Sequence, residues 1–222
     1  LEFRRVLFRS AVYDLGGGTF DISILIINNG IFEVLSTNGD TYLGGDDMDN
    51  AIVQYLNSEL GIGNSDADKA LMQQLRLTAE QAKVHLSGND KFEGAISGKP
   101  VLLTRAQFNQ LIQPLVDRTI TACRNSLRDA GLKAEQIDAV VMVGGSTRVP
   151  LVRESVRNFF GKEVYDNLNP DEVVALGAAV QADILAVNNS EMLLLDVTPL
   201  SDRKSTRLNS SHMSESRMPS SA

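Results

Sequence analysis

The chain has 222 residues, of which 43% are apolar and 22% are charged, a composition that is ordinary for one or two globular domains. Its net charge of −7 argues against a general nucleic-acid or acidic-membrane binder, because either partner requires a local basic patch. Cys123 is the only cysteine, which excludes a disulfide framework and a thiolate metal site and fits a reducing cytosol. No apolar run approaches the ~20 residues of a membrane span, and we find no convincing signal peptide, so we expect a cytoplasmic protein.

Both ends of the chain differ in composition from its centre. Residues 1–10 match neither a helix cap nor a clean strand, and residues 202–222 are rich in serine and lack apolar periodicity. We interpret them as a non-native leader and a non-native disordered tail. A native basic arm and a native serine-rich tail are the alternatives.

Residues 14–21, Asp-Leu-Gly-Gly-Gly-Thr-Phe-Asp, are the most informative stretch. Apolar residues lead into it and alternating apolar residues lead out, so Gly16, Gly17 and Gly18 are predicted at a hairpin tip. Glycines let backbone N–H groups approach an anion and adopt positive φ, which we expect of a phosphate-cradling turn. Asp14 and Asp21 add oxygen ligands for hydrated Mg²⁺, or a carboxylate that orients water. A plain glycine-rich hairpin with solvated aspartates is the alternative.

A second hairpin signal follows. Asn28-Asn29-Gly30 predicts a tight turn between strands over residues 20–27 and 31–35. The loop at 38–47 then precedes a helix whose acidic first turn suits the positive helix N-terminus.

The next helix is predicted over residues 67–86. Its polar face includes Glu80, Lys83 and Ser87, which the helical period places on one side. From the residues alone, a solvated face with a weak Glu–Lys pair is the favoured interpretation.

The following part of the chain predicts a small β element and then a long helix. The strands cover residues 91–96 and 100–103, and the helix covers 105–130. Thr104 is a credible N-cap for that helix, and Gly131 ends it. Cys123 lies on the apolar stripe of the helix, so we expect a core residue and not a nucleophile.

Residues 139–143 form an apolar run short enough for a strand buried on both faces. Gly144 and Gly145 follow at its carboxyl end, where open α/β sheets bind ligands. A simple tight turn into a helix would use the same glycines. Two glycine-rich turns of this kind in one chain favour a shared nucleotide.

The last helix is predicted over residues 171–187. Asp171 is first a cap or a first-turn acid, and the small residues of the helix predict close packing against a neighbouring element. The apolar extended segment at 192–200 is too short for a membrane span and suits addition to a sheet edge as an extra strand.

Five motifs, taken in order, resemble the heat-shock-70 (DnaK-type) chaperones. They cover residues 14–21, 43–47, 143–150, 169–182 and 193–201. The phrases at 104–119, 149–154 and 190–196 are most similar to the branch of that family that serves iron–sulphur cluster assembly.

The resemblance implies an α/β, actin/hexokinase-like ATPase fold, of which this chain is the second lobe of the nucleotide-binding domain. That lobe would have a mixed sheet flanked by helices and a smaller α+β subdomain. Residues 11–42 and 113–188 would form the inner subdomain, 43–112 the outer subdomain and 189–201 an interdomain linker.

The resemblance also implies a site for ATP or ADP with Mg. Gly16, Gly17, Gly18 and Thr19 would hold the β- and γ-phosphates. Asp14 and Asp21 would lie near Mg²⁺, through water, and near the attacking water, so that Asp14, Thr19 and Asp21 are the implied catalytic residues. The groups implied to contact ribose and adenine are Glu80, Lys83, Ser87, Gly144, Gly145, Ser146, Arg148 and Asp171. This assignment replaces the solvated-face interpretation.

The implied function is an ATP-dependent chaperone that holds and releases a client protein. In the iron–sulphur branch the client would be a cluster scaffold protein, and a J-domain co-chaperone and a nucleotide exchange factor would be further partners, with no nucleic acid and no membrane. Val84 departs from the arginine that many relatives place beside the lysine, which predicts weaker adenine stacking.

The family's first phosphate loop, its catalytic lysine and its peptide-binding part have no counterpart in this sequence. We therefore expect the fragment to hydrolyse ATP poorly, because phosphoryl transfer depends on groups on both sides of the nucleotide. A sugar kinase or another actin-fold phosphotransferase and a non-catalytic nucleotide-binding lobe are the alternatives. The segment at 193–200 argues against the first of these.

Overall fold

The computed structural model describes residues 7–61, 69–165, 169, 172–187 and 193–196. These residues form an α/β structure in which a large mixed sheet and a small hairpin are flanked by helices. The strands are β1 (Phe8–Leu15), β2 (Phe20–Asn28), β3 (Ile31–Asp40), β4 (Lys91–Ile96), β5 (Lys99–Thr104), β6 (Ala139–Val143), β7 (Val164–Tyr165) and β8 (Leu193–Leu195). The helices are α1 (Gly45–Leu60), α2 (Lys69–Gly88), α3 (Arg105–Asp129), α4 (Pro150–Phe160) and α5 (Val173–Val187). The predicted fold class is confirmed.

The large sheet has the strand order β7-β6-β1-β2-β3-β8. Strands β1, β2 and β3 form an antiparallel meander, while β6 lies parallel to β1 on its other side. The predicted turn between β2 and β3 is confirmed, and both of its central residues, Asn29 and Gly30, have positive φ (48° and 81°). That geometry matches the right-handed twist of a two-residue hairpin. Because β6 runs parallel to β1, the sheet places the carboxyl ends of these two strands side by side.

The first strand begins earlier than the sequence predicts. Phe8, Arg9 and Ser10 pair with the far end of β2, so the expectation that residues 1–10 contain no strand is wrong for this part. Local composition does not reveal these strand residues, because they are held by pairing with residues 25–27 of β2. Residues 1–6 and 202–222 lie outside the described residues, and their origin stays a prediction.

Helix α3 lies in the centre of the core, and its bounds are close to the predicted 105–130. Thr104 caps it, because its Oγ1 accepts a hydrogen bond from the Gln107 N–H and the Gln107 side chain in turn accepts from the Thr104 N–H. Cys123 is fully buried, and burial raises the pKa of its thiol to about 12, as expected for a core residue. The buried hydroxyl of Tyr13 on β1 donates to Thr119 on α3 over 2.7 Å, which joins the sheet to this helix.

The last two elements lie at the margin of the fold. None of the described α5 side chains is buried; Val174 and Leu185 are 67% and 71% exposed, so the predicted close packing of this helix is not seen among the described residues. By contrast, β8 adds to the edge of β3 in parallel, with the Leu193 N–H donating to Gly30 O, which confirms the predicted strand addition for residues 193–195. No helix of the described residues combines the length and apolar character of a membrane span.

Candidate functional site

The glycine-rich loop between β1 and β2 is the hairpin tip that the sequence predicts. Its turn is closed by a hydrogen bond from the Gly16 N–H to Thr19 O, and Asp14 and Asp21 face each other across the two strands. None of Gly16, Gly17 and Gly18 has positive φ, so the predicted left-handed backbone at this loop is wrong. The turn closes with ordinary backbone conformations.

The glycines of this loop are open on the outside. A Cβ on Gly17 would lie 3.9 Å from Asp46 Oδ1, and a Cβ on Gly18 would meet no atom of the described residues within 4 Å. Protein packing therefore does not require glycine at these two positions. Residues 17–19 are exposed, so bare backbone N–H groups are accessible to an anion.

The start of α1 contacts the inner side of the same loop. The Gly45 N–H donates to Gly16 O over 3.0 Å, and the Asp46 N–H donates to Gly17 O over 2.7 Å. A Cβ on Gly44 would lie 2.3 Å from Gly17 O, so only glycine allows this approach. These glycines belong to the Leu-Gly-Gly-Asp-Asp motif at 43–47, none of whose residues is among the predicted site residues.

The second glycine-rich turn lies directly beside the first. Gly144 has φ of +87°, and a Cβ there would lie 2.3 Å from Leu15 O and 2.7 Å from Asp14 Oδ1. Two residues on, the Ser146 hydroxyl donates to Gly16 O over 2.9 Å. The structure thus brings together the two turns that the sequence separates by more than 120 residues.

A cavity of about 720 Å³ opens between these turns and helices α1 and α2. Of the predicted site residues that the structure describes, seven line it: Gly17, Glu80, Lys83, Ser87, Gly145, Ser146 and Arg148. Further residues line the cavity and are not among the predicted site residues: Asp46, Asp49, Asn50, Arg76, Leu77 and Val149. The helical period of α2 places Arg76 and Leu77 one turn before Glu80 and could have indicated them.

Lys83 does not behave as a residue of a solvated face. Its Nζ lies 2.7 Å from Asp49 Oδ2 and 3.2 Å from Gly45 O, and only 16% of its side chain is exposed. The interpretation of a weak Glu80–Lys83 pair is therefore wrong, because tertiary packing of α1 against α2 supplies a different carboxylate. The Ser87 hydroxyl donates to Lys83 O on its own helix, which leaves its lone pairs available to a ligand.

Three further predicted residues, Asp14, Thr19 and Asp21, lie in or beside the glycine-rich loop. Asp14 is half-buried, and both its burial and the nearby negative charge of Asp21 raise the pKa of its carboxyl. Thr19 and Asp21 are exposed. Among the described residues no group of three or more acidic, histidine or cysteine side chains could hold a metal ion. Asp171 lies outside the described residues.

A protein-family model with the description "Hsp70 protein" matches residues 8–220 of the chain. The chain belongs to the Hsp70 family. Its curated relatives include the "Chaperone protein HscA" of Cronobacter sakazakii and of Klebsiella pneumoniae, each 54% identical over 193 residues, and that of Pectobacterium atrosepticum, 53% identical over 193 residues. Each alignment covers 86% of this chain and 31% of the relative, so the chain spans about a third of the length of those proteins.

Family membership confirms the predicted actin/hexokinase-like ATPase fold for this Hsp70 chain. Val84, at the position beside the lysine, lines the cavity and is 67% exposed. In this Hsp70 chain an aliphatic side chain therefore lies at the cavity wall, where an adenine contact is predicted.

Proposed function

We propose that this chain binds Mg-ATP and Mg-ADP in the cavity between the two glycine-rich turns, as the second lobe of the ATPase of an Hsp70 chaperone. The observation that carries the proposal is the convergence on one cavity of Gly17, Lys83, Gly145 and Arg148 from three distant segments. Such a site combines a bare backbone for phosphate with polar groups for a nucleoside, which is the chemistry of a nucleotide site.

The phosphate side of the proposed site is the loop of Gly16 to Thr19. Its open glycines present backbone N–H groups, and the side chains of Asp14 and Asp21 stand at its base. Two adjacent carboxylates, one with a raised pKa, fit a dication that neutralises them. Mg²⁺ bound there through water would offset the negative charge of the phosphates, while Asp14 and Asp21 would orient the attacking water, with Thr19 beside them.

The nucleoside side is formed by α2 and by the turn after β6. Lys83, Glu80 and Ser87 offer donors and acceptors to the ribose and the base, and Arg148 offers a planar guanidinium. Val84 supplies an aliphatic surface in place of a second guanidinium, so stacking on the base is weaker than with two arginines. Gly144 and Ser146 hold the turn against the glycine-rich loop, and Gly145 lines the cavity beside them. The family resemblance adds Asp171 to the proposed nucleoside contacts.

For the whole protein we propose cycles of client binding and release driven by ATP binding and hydrolysis. The similarity to HscA proteins supports the iron–sulphur branch of the family, with a cluster scaffold protein as client, a J-domain co-chaperone and an exchange factor. The strand β8 on the edge of β3 supports a linker at 189–201 that reports the state of this lobe.

The test is calorimetric titration of Mg-ADP into the 222-residue chain and into Gly145→Val. A Cβ at Gly145 meets no atom of the described residues within 4 Å and φ there is not positive, so the valine variant should fold normally and its side chain should occupy part of the cavity. Gly177→Val on α5 is the matched control, because that Cβ is equally free and the residue does not line the cavity. We expect saturable binding by the chain and the control and at least about tenfold weaker binding by Gly145→Val. Equal binding by all three would contradict the proposed site.

ATP turnover separates binding from catalysis. The glycine-rich loop is exposed among the described residues, and the chain spans about a third of the length of the HscA proteins that it matches. Because phosphoryl transfer depends on groups on both sides of the nucleotide, we expect turnover far below that of a full-length HscA protein measured in parallel. Matching rates would refute this expectation. Production of ADP that depends on an added sugar would instead favour a sugar kinase.

A further inference from the structure

The ion pair between Asp49 and Lys83 is the feature of the cavity that the proposed function does not explain. Asp49 lies on α1 and Lys83 on α2, and their side chains are only 18% and 16% exposed. The family resemblance implies a role for Lys83, whereas Asp49 lies at the cavity wall because the two helices pack against each other.

Geometry fixes the lysine on two sides. Its Nζ donates to Asp49 Oδ2 at 2.7 Å and to Gly45 O at 3.2 Å. A Cβ on Gly45 would stand 3.1 Å from that Nζ, so the glycine makes room for it. An ammonium group has three donors, and two are used here. The third donor remains for a ligand in the cavity that Lys83 lines.

The pair is poorly arranged if its role is only to stabilise the fold. Among the described atoms, Asp49 Oδ1 is buried and has no hydrogen-bond partner. Burial, together with Glu80 and Asp46, raises the pKa of the Asp49 carboxyl even though Lys83 lowers it. A half-satisfied buried carboxylate costs stability, and such arrangements are concentrated at functional sites.

We propose that Asp49 is a positioning residue for the nucleotide: it holds the Lys83 ammonium at the cavity wall so that its third donor reaches the ribose or the base. A lysine side chain otherwise loses substantial rotamer entropy when a ligand orders it. Asp49 removes that loss before the ligand arrives, which is preorganisation. This inference rests on the proposed nucleotide site and adds a residue that acts through Lys83.

The test is a double-mutant cycle in the 222-residue chain, with the Kd of Mg-ADP measured by calorimetry. We expect Asp49→Asn to raise Kd about five- to tenfold and Lys83→Met to raise it about tenfold or more. In the Lys83→Met background, Asp49→Asn should weaken binding no further, because Asp49 acts only through the lysine. Glu93→Gln, which breaks the exposed Lys91–Glu93 pair, is the matched control and should leave Kd unchanged.

The pH dependence supplies a readout that a purely structural role would not move. The ratio of the Kd of Asp49→Asn to that of the unmodified chain should fall towards one as the pH is lowered, because protonated Asp49 no longer holds Lys83. The nucleotide's own titration cancels in this ratio. Besides Lys83, the charged groups that act on Asp49 are Glu80 and Asp46, and Arg76 and Arg148 line the same cavity.

Three outcomes would overturn the inference, and they differ from one another. Additive effects in the cycle would mean that Asp49 contacts the nucleotide independently of Lys83. A lower melting temperature with Kd changed by less than about twofold would mean a structural role only. Absence of Mg-ADP binding by the unmodified chain would remove the proposed function itself and this inference with it.

Discussion

The Ser146 hydroxyl donates a hydrogen bond of 2.9 Å to the carbonyl oxygen of Gly16, across 130 residues of sequence. The same carbonyl accepts a hydrogen bond from the Gly45 N–H at 3.0 Å. One oxygen of the glycine-rich loop between β1 and β2 therefore joins the turn after β6 to the start of α1. The proposed site therefore depends on contacts between three segments and not on any one motif.

Ser146→Ala tests this junction. The change removes one donor from a carbonyl that keeps the Gly45 N–H, so we expect a loss of about 1 kcal/mol in the free energy of unfolding. We also expect a several-fold rise in the Kd of Mg-ADP, because the two turns lose part of their alignment. Urea denaturation and calorimetry measure the two effects. Ser146→Thr keeps the hydroxyl, and an equal loss of affinity in that variant would argue against the hydrogen bond as the cause.

Gly144 and Gly145 are predicted to differ sharply although they are adjacent. Gly144→Ala places a Cβ 2.3 Å from Leu15 O at a residue with φ of +87°, so we expect destabilisation by about 3 kcal/mol or more. The Cβ of Gly145→Ala meets no atom within 4 Å in the part of the chain that the structure describes, so the change should alter the free energy of unfolding by about 0.5 kcal/mol or less. Thermal or urea unfolding of the pair is the measurement. Equal losses in both variants would contradict the described backbone.

Asp14 is predicted to oppose folding at neutral pH in the absence of a cation. Its folded pKa is raised above the unfolded value, so the native state binds more protons than the unfolded state between the two pKa values. The free energy of unfolding therefore falls as the pH rises from the unfolded pKa through the folded pKa. Asp14→Asn removes this ionisation, so at pH 7 the variant should have a larger free energy of unfolding than the unmodified chain. The difference should shrink at acidic pH, where Asp14 is protonated in both states. The same variant should lose the dependence of ADP binding on Mg²⁺.

Unfolding curves at several pH values, with and without Mg²⁺, check both statements about Asp14. Asp21→Asn is the useful comparison, because it removes the neighbouring charge that raises the Asp14 pKa and keeps the Asp14 carboxyl. If Asp14→Asn destabilised the chain at pH 7, the assignment of burial and repulsion as the causes would fail.

The Cys123 thiol is predicted to be unreactive towards alkylating reagents in the folded chain. It is fully buried, and burial raises the pKa of its thiol to about 12, so almost no thiolate exists at pH 8. We expect a thiol reagent such as iodoacetamide to label it only after unfolding in urea. Rapid labelling of the native chain at a rate independent of urea would contradict the placement of this residue on the buried stripe of α3.

The sequence by itself determined the elements whose signals are local. Asn28-Asn29-Gly30 predicts the β2–β3 turn because both central residues tolerate positive φ, and Thr104 predicts the start of α3 because its side chain meets the first turn. The apolar run at 139–143 predicts β6 with the observed bounds. In each case the cause and the structure lie within a few residues of each other.

Only the tertiary structure decided which distant groups meet. It pairs Lys83 with Asp49 instead of Glu80, places Ser146 on Gly16, and assigns the requirement for glycine to Gly44 and Gly144 rather than to the phosphate loop. These outcomes depend on the angles and distances at which helices and strands pack, and periodicity within one segment does not contain that information. The five motifs therefore identified the family, while packing determined how the proposed site is held together.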